Sequence, residues 1–228
     1  MYVLHYAPDN ASLVVRLALE EAGAVYRTRL VERRSRAQAQ PEYLALNPAG
    51  LIPALETPDG PLAETGACLL YLGLRHEGLF PAPGTPGWTA ALRLLFFLSN
   101  TLHADLRLVF YPEAYAGADP KAGAALHDGA TARIARHLKL LEAEAAPGGP
   151  LDTAPALGYY LAACLRWAAL YARHGTGWLA LGDTPALGAL ISRLEARPAT
   201  RNAARAEGLG AHPFTRPALP NPPEGSPT

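Results

Sequence analysis

Four short stretches of this 228-residue chain hold residue types from which a binding or catalytic site can be assembled. In "YAPDNASLVVRLALEEAG" (6 to 23), Ser12 stands where a helical pattern starts, with Tyr6 and Asn10 just upstream. A hydroxyl there either caps the helix or donates to an anion that the helix N-terminus already favours. In "NPAGLIPALETPDGPLAETG" (47 to 66), Pro53 sits at the mouth of a short apolar strand, where it has no N–H to give a ladder. Either the Ile52–Pro53 bond is trans and the strand lies at an edge, or it is cis and turns the N–H and C=O of Ile52 outward. In the second case they are free to pair with an extended, peptide-like ligand. Later in the same stretch Glu64 precedes Thr65, which opens a helix; by type alone these are a surface acid and an N-cap. "ERRSRAQAQ" groups Arg33, Arg34 and Arg36, a run that reads as a solvated basic face. His103 in "SNTLHADL", with Tyr111 and Tyr115 beyond it, suits either helix packing or the wall of an apolar pocket.

The elements that must carry these residues divide the chain into two grammars. "YVLHY" (2 to 6) reads as a strand, and Leu13, Leu17, Ala18 and Ala22 keep a helical spacing that ends near Gly23. "YRTRLVE" (26 to 32) reads as a second strand, and "PEYLALNP" as a short helix and turn. "IPALET" and "GPLAE" form a hairpin around Pro58-Asp59-Gly60, followed by a helix with Cys68, Leu69 and Leu72 inward. The order is βαβ, then αββα: an α/β unit with helices covering a sheet. "EGLFPAPGTPG" (77 to 87), with three prolines and three glycines, is the expected linker. Beyond it the pattern is all helical, over 87–113, 119–146, 153–174, 184–196 and 198–207. The expected domains are therefore 1–76 and 88–210. The proline-rich tail 211–228 is expected to be loose.

Three motifs carry a family resemblance: "LNPAGLIPAL" (46 to 55), "LAETGACLLYL" (62 to 72) and the 6–23 opening. With them the chain resembles the cytosolic glutathione transferases, nearest the bacterial beta-like members. The resemblance implies a thioredoxin-like N-terminal domain, an all-α C-terminal domain and a cis Pro53. It implies that Ile52 and Pro53 present the peptide edge, that Glu64 accepts the γ-glutamyl ammonium, and that Thr65 holds the γ-glutamyl carboxylate. Threonine stands where the family usually has serine. One arginine of the basic run, taken as Arg36, would hold the glycyl carboxylate. The thiol is the chemical centre, because the thiolate is the nucleophile. Lowering its pKa by about two units asks for roughly 2.7 kcal/mol of thiolate stabilisation. Ser12 is the first candidate donor, then Asn10, then Tyr6. His103 and Tyr111 would line the pocket of a hydrophobic electrophile.

The chain also departs from the pattern. Ala11 replaces the cysteine of beta-class enzymes, so a mixed disulfide with glutathione at that position is excluded. The capping box expected before the central helix is incomplete: Thr153 is followed by Ala156 at the third position, with Pro155 between them. The implied function is a transferase using glutathione as co-substrate, without a metal, as a cytoplasmic detoxification homodimer. The alternatives are a glutathione-dependent peroxidase, isomerase or dehalogenase, or a non-catalytic binding module on the same fold.

Composition agrees. Twenty acidic and twenty basic residues leave no global field that would attract nucleic acid or an anionic membrane. The two cysteines form no CxxC pair, which suits a reducing compartment. The start "MYVLHYAPDN" lacks a basic n-region followed by a long apolar core, so no signal peptide is expected. "ALGYYLAACLRWAALYA", from Ala156, carries Arg166 and reads as a buried central helix.

Overall fold

A computed structural model describes residues 1–172, 175–179 and 181–227. The last two positions of the helix expected over 153–174, and the last of the tail, lie outside the described residues.

The first unit starts with β1 (Tyr2–Tyr6), α1 (Ser12–Glu21) and β2 (Tyr26–Leu30), with β1 and β2 parallel. A short α2 (Pro41–Leu44) leads to β3 (Ala54–Thr57) and β4 (Gly60–Ala63), and the sheet order is β2-β1-β3-β4. β3 runs antiparallel to β1 and to β4. Arg27 and Arg29 are exposed on β2, charges that protect an edge strand from further pairing. The hairpin turn is locked by Thr57, whose hydroxyl donates to the Gly60 carbonyl at 2.7 Å and accepts from the Asp59 N–H at 3.1 Å. α3 (Thr65–Gly73) closes the unit. Its Cys68, Leu69 and Leu72 are fully buried with Leu13 and Leu17 of α1 and Leu4 and Leu55 of the sheet. This is a thioredoxin-like layer of sheet and helices.

Pro53 lies just outside the ladder: β3 begins at Ala54, opposite His5, and the Ile52–Pro53 bond is cis. The loop before it is pinned by its own side chains. Tyr43 Oη and Asn47 Nδ2 both donate to the Leu51 carbonyl, at 2.6 and 2.7 Å.

The second unit is helical. α4 (Pro86–Phe97) passes through one wide π turn (Leu98–Leu102) into α5 (His103–Phe110). There follow α6 (Pro112–Ala116), α7 (Pro120–Glu144), α8 (Pro150–Thr153), α9 (Pro155–Tyr171), α10 (Pro185–Glu195) and α11 (Pro198–Glu207). Every one from α6 to α11 opens on proline, as do α2 and α4. At that position the missing N–H costs nothing, which explains a proline-rich yet helical sequence. α9 is buried on all faces from Ala156 to Ala168, and Gly158 allows its close approach to α10, since a Cβ there would meet Leu194 at 2.8 Å. No helix among the described residues is long and apolar enough to cross a membrane.

Two expectations are corrected. Thr153 does not cap α9: it ends α8, its hydroxyl bonding the Gly149 carbonyl at 3.1 Å, and Ala154 precedes α9 without a side-chain cap. The Ala156 N–H instead reaches the Leu79 carbonyl at 3.4 Å. The tail is not loose either. Arg166 of α9 donates to the carbonyls of Pro213 and Ala218, each at 2.9 Å. Glu195 accepts from the N–H groups of Phe214 and Thr215, and Phe214 and Ser226 are buried. The tail has few apolar side chains, but its carbonyls satisfy a guanidinium that has no water to bond.

Candidate functional site

Three chain segments end at one side of the sheet: the loop after β1, the Leu51–Pro53 segment before β3, and the first turn of α3. Across from them stand α5 and the C-terminal half of α9. The cleft between holds about 970 Å³. Asn10, Ile52, Pro53, Glu64 and Thr65 line it from the sheet side. His103, Arg107, Phe110, Tyr111, Trp167 and Tyr171 line it from the helical side.

The loop carrying Asn10 is held by a buried ion pair. Asp9 has φ 51°, and its carboxylate accepts two hydrogen bonds from Arg166, both 2.8 Å. It also accepts from Trp167 Nε1 at 3.0 Å and Tyr171 Oη at 2.6 Å. The Asp9 N–H donates to Glu207 of α11 at 2.8 Å, and Glu207 pairs with Arg16 at 2.7 Å. With every oxygen satisfied, Asp9 positions the loop and takes no further partner. Asn10 follows, its Oδ1 accepting from the Ala11 N–H at 3.0 Å, which leaves the amide NH₂ as a donor in the cleft.

Glu64, at φ 69°, is exposed at the N-terminus of α3, without a cation partner among the described residues. Thr65 is the first residue of that helix and is buried. A free carboxylate beside a helix N-terminus can hold an ammonium and a carboxylate side by side, the two ends of an α-amino acid. His103 bonds Tyr160 Oη through Nδ1 at 2.9 Å. Burial, with Arg107 nearby, drives its pKa down to about 4, so the ring is uncharged at neutral pH. Burial pushes the Cys68 thiol up to about 12, and Cys164 is fully buried, so neither is a nucleophile.

Of the residues the sequence singled out, Asn10, Ile52, Pro53, Glu64, Thr65, His103 and Tyr111 meet in this cleft. Three do not. Ser12 is fully buried, its Oγ donating to the Ala7 carbonyl at 3.1 Å and accepting from the Ala7 N–H at 3.3 Å. Tyr6 is buried, turned toward Glu224 at 2.5 Å and covered by the Arg16 guanidinium. Arg36, at φ 55°, is exposed and outside the lining, whereas Arg33 is part of it. Sequence reasoning missed Asn47, Gln38 and Arg107. Gln38 Oε1 is buried at the cleft with no hydrogen-bond partner among the described residues. Asn47 was legible as an Asx turn, its Oδ1 accepting from the Ala49 N–H. Arg107 was legible as one helical turn beyond His103.

A thioredoxin-like unit and a helical unit enclose one cleft at the cis-proline edge of the sheet. Comparison with known proteins gives the family. Residues 1–73 match the glutathione S-transferase N-terminal domain. A sphingomonad glutathione S-transferase complexed with glutathione is 30% identical, with TM-score 0.72 over 91% of this chain and 100% of that one. The beta-class enzyme of Sphingomonas chungbukensis is 28% identical, with TM-score 0.73 over 91% of this chain and 100% of its own. The maleylacetoacetate isomerase of Rhizobium meliloti (strain 1021) is 32% identical over 114 residues, 50% of this chain and 54% of that protein. The chain thus spans about half the length of the curated relatives it matches. This chain belongs to the glutathione S-transferase family.

Proposed function

We propose that the chain binds glutathione in this cleft and joins its thiolate sulfur to an apolar electrophile, with loss of the electrophile's leaving group. The observation that carries the reading is the meeting of the Ile52 edge, Glu64, Thr65 and Asn10 on one wall. In this reading Glu64 takes the γ-glutamyl ammonium, Thr65 and the first amides of α3 take its carboxylate, and the Ile52 backbone pairs with the cysteinyl unit. Arg33 stands where the glycyl carboxylate would end. The sulfur then lies at the start of α1, where the Asn10 amide and the first-turn N–H groups favour the thiolate over the thiol. Residues 1–76 hold the tripeptide, and residues 88–210 supply the apolar wall for the electrophile. A cytoplasmic detoxification role belongs to this reading, and a reducing compartment suits two buried cysteines that form no disulfide with each other. Pairing with a second copy completes the reading and is measured by light scattering.

The test is the pKa of the bound thiol, followed by thiolate absorbance during a pH titration. Asn10→Ala should raise it by about one unit and slow conjugation about threefold near neutral pH and up to about tenfold below the pKa. Ser12→Ala should leave that pKa in place, because its hydroxyl is spent on Ala7. An unmoved thiol pKa in Asn10→Ala removes Asn10 from the role. The second reading, a glutathione-binding module without turnover, is favoured by one observation: the hydroxyls of Ser12 and Tyr6 are both engaged elsewhere. Binding without any fall in thiol pKa would select it.

A further inference from the structure

The helical wall of the cleft contains a cation with no counter-charge. His103, Ala104, Arg107, Phe110 and Tyr111 all line the cleft, the spacing of one helical face turned toward it. Arg107 Nε donates to Tyr115 Oη at 3.0 Å, and its guanidinium carbon lies 5.8 Å from the Tyr111 ring centroid. Two tyrosines thus hold the group in place while its terminal NH₂ groups make no hydrogen bond to a described residue. No carboxylate among the described residues forms an ion pair with it. Among nearby acids, Asp105 pairs with Arg133 and His137, Asp9 is consumed by Arg166, Trp167 and Tyr171, and Glu113 of α6 also has a partner. Glu64 belongs to the start of α3, in the part of the cleft assigned to the tripeptide. His103 is uncharged and offers no compensation. Tyr111 and Tyr115 beside it are both partly exposed, so the guanidinium is open to an incoming anionic ligand.

We infer that the electrophile half of the cleft selects a flat, apolar co-substrate that carries a carboxylate, with Arg107 pairing to it. The inference rests on the proposed function for the reaction, but not for the binding. A planar guanidinium receives a carboxylate through two parallel N–H bonds, so it fixes orientation as well as charge. The aromatic body then lies along Phe110 and Tyr111, its reacting carbon directed to the sulfur at Asn10.

The probes are 1-chloro-2,4-dinitrobenzene, which is neutral, and 4-chloro-3,5-dinitrobenzoate, which carries the carboxylate. In both, the thiolate sulfur bonds to the ring carbon bearing chlorine, the carbon–chlorine bond breaks, and chloride leaves with the electron pair. The thiol proton passes to water. With kcat/KM normalised to the uncatalysed rate of each probe, the wild-type protein should prefer the benzoate by about tenfold or more. Arg107→Gln should abolish the preference, and Arg107→Lys should restore part of it. Calorimetric titration of the benzoate without glutathione gives a readout independent of turnover: the dissociation constant should rise about tenfold in Arg107→Gln, and added salt should weaken wild-type binding. If neither probe reacts but the benzoate still binds through Arg107, the transferase reading fails and this inference stands. Equal normalised rates for the two probes in the wild type, or a ratio and a dissociation constant that Arg107→Gln leaves unchanged, would overturn it.

Discussion

Ser12 and Asn10 stand two positions apart, and each has the chemistry to steady a thiolate, yet only one reaches the cleft. The Ser12 hydroxyl closes a ring with both backbone groups of Ala7, so it stabilises the entry to α1 and nothing else. Asn10 spends its oxygen on the Ala11 N–H and keeps its donor. His103 shows the same dependence on surroundings. Its folded pKa of about 4 lies below the ordinary value of 6.5 because burial disfavours the imidazolium. Between these values the unfolded chain takes up a proton that the folded protein refuses. The His103 contribution to stability should therefore be constant above about pH 6.5 and fall as the pH drops toward 4, while buried Glu207, raised to about 7, contributes with the opposite sign between its ordinary 4.5 and 7. Urea unfolding at a series of pH values reads the His103 part as the difference in slope between the wild type and His103→Gln. An equal slope in the variant would assign it to other groups.

At the level of elements, the decisive contact joins the loop after β1 to α9 through Asp9 and Arg166, 157 positions apart. Both side chains are fully buried, so neither could remain charged alone without a large desolvation penalty. Arg166→Met should cost on the order of 3–5 kcal/mol in urea unfolding, since it strands the Asp9 carboxylate. Combining it with Asp9→Asn should cost less than the two changes summed, because each already removes the same pair. Additive costs would show that the two residues act independently. Because Asp9 precedes Asn10, the single Arg166 change should also loosen glutathione binding.

For the molecule as a whole, the last segment is structural. Removal of residues after Gly210 takes away the Pro213 and Ala218 carbonyls that satisfy Arg166, the buried Phe214, and the Glu224 partner of Tyr6. A loss of about 3 kcal/mol or more is expected, from two hydrogen bonds to a charged group alone. Thermal unfolding of the shortened chain checks it. A melting temperature equal to that of the full chain would mean that the tail rests on the surface without holding it. Pro227 also lines the cleft, so the shortened protein should bind benzoate probes less tightly.

The elements themselves were legible in the amino-acid sequence, because their causes are local. A period of 3.6 set Leu13, Leu17 and Ala18 inward and Pro-Asp-Gly closed the hairpin, whereas the segment read as helical over 87–113 passes through a π turn and breaks before Pro112. The site role of Pro53, Glu64 and Thr65 was legible only through the family resemblance, since residue type alone left the peptide bond cis or trans and read the other two as a surface acid and an N-cap. What the sequence could not decide was the direction of individual side chains and the identity of distant partners. It could not rank Arg33 above Arg36, because that depends on a left-handed residue at Arg36 within the loop. Nor could it send the Ser12 hydroxyl to Ala7, or dock a proline-rich tail onto Arg166. Those outcomes follow from which groups are left without water once all layers pack, and only the assembled tertiary structure determines that.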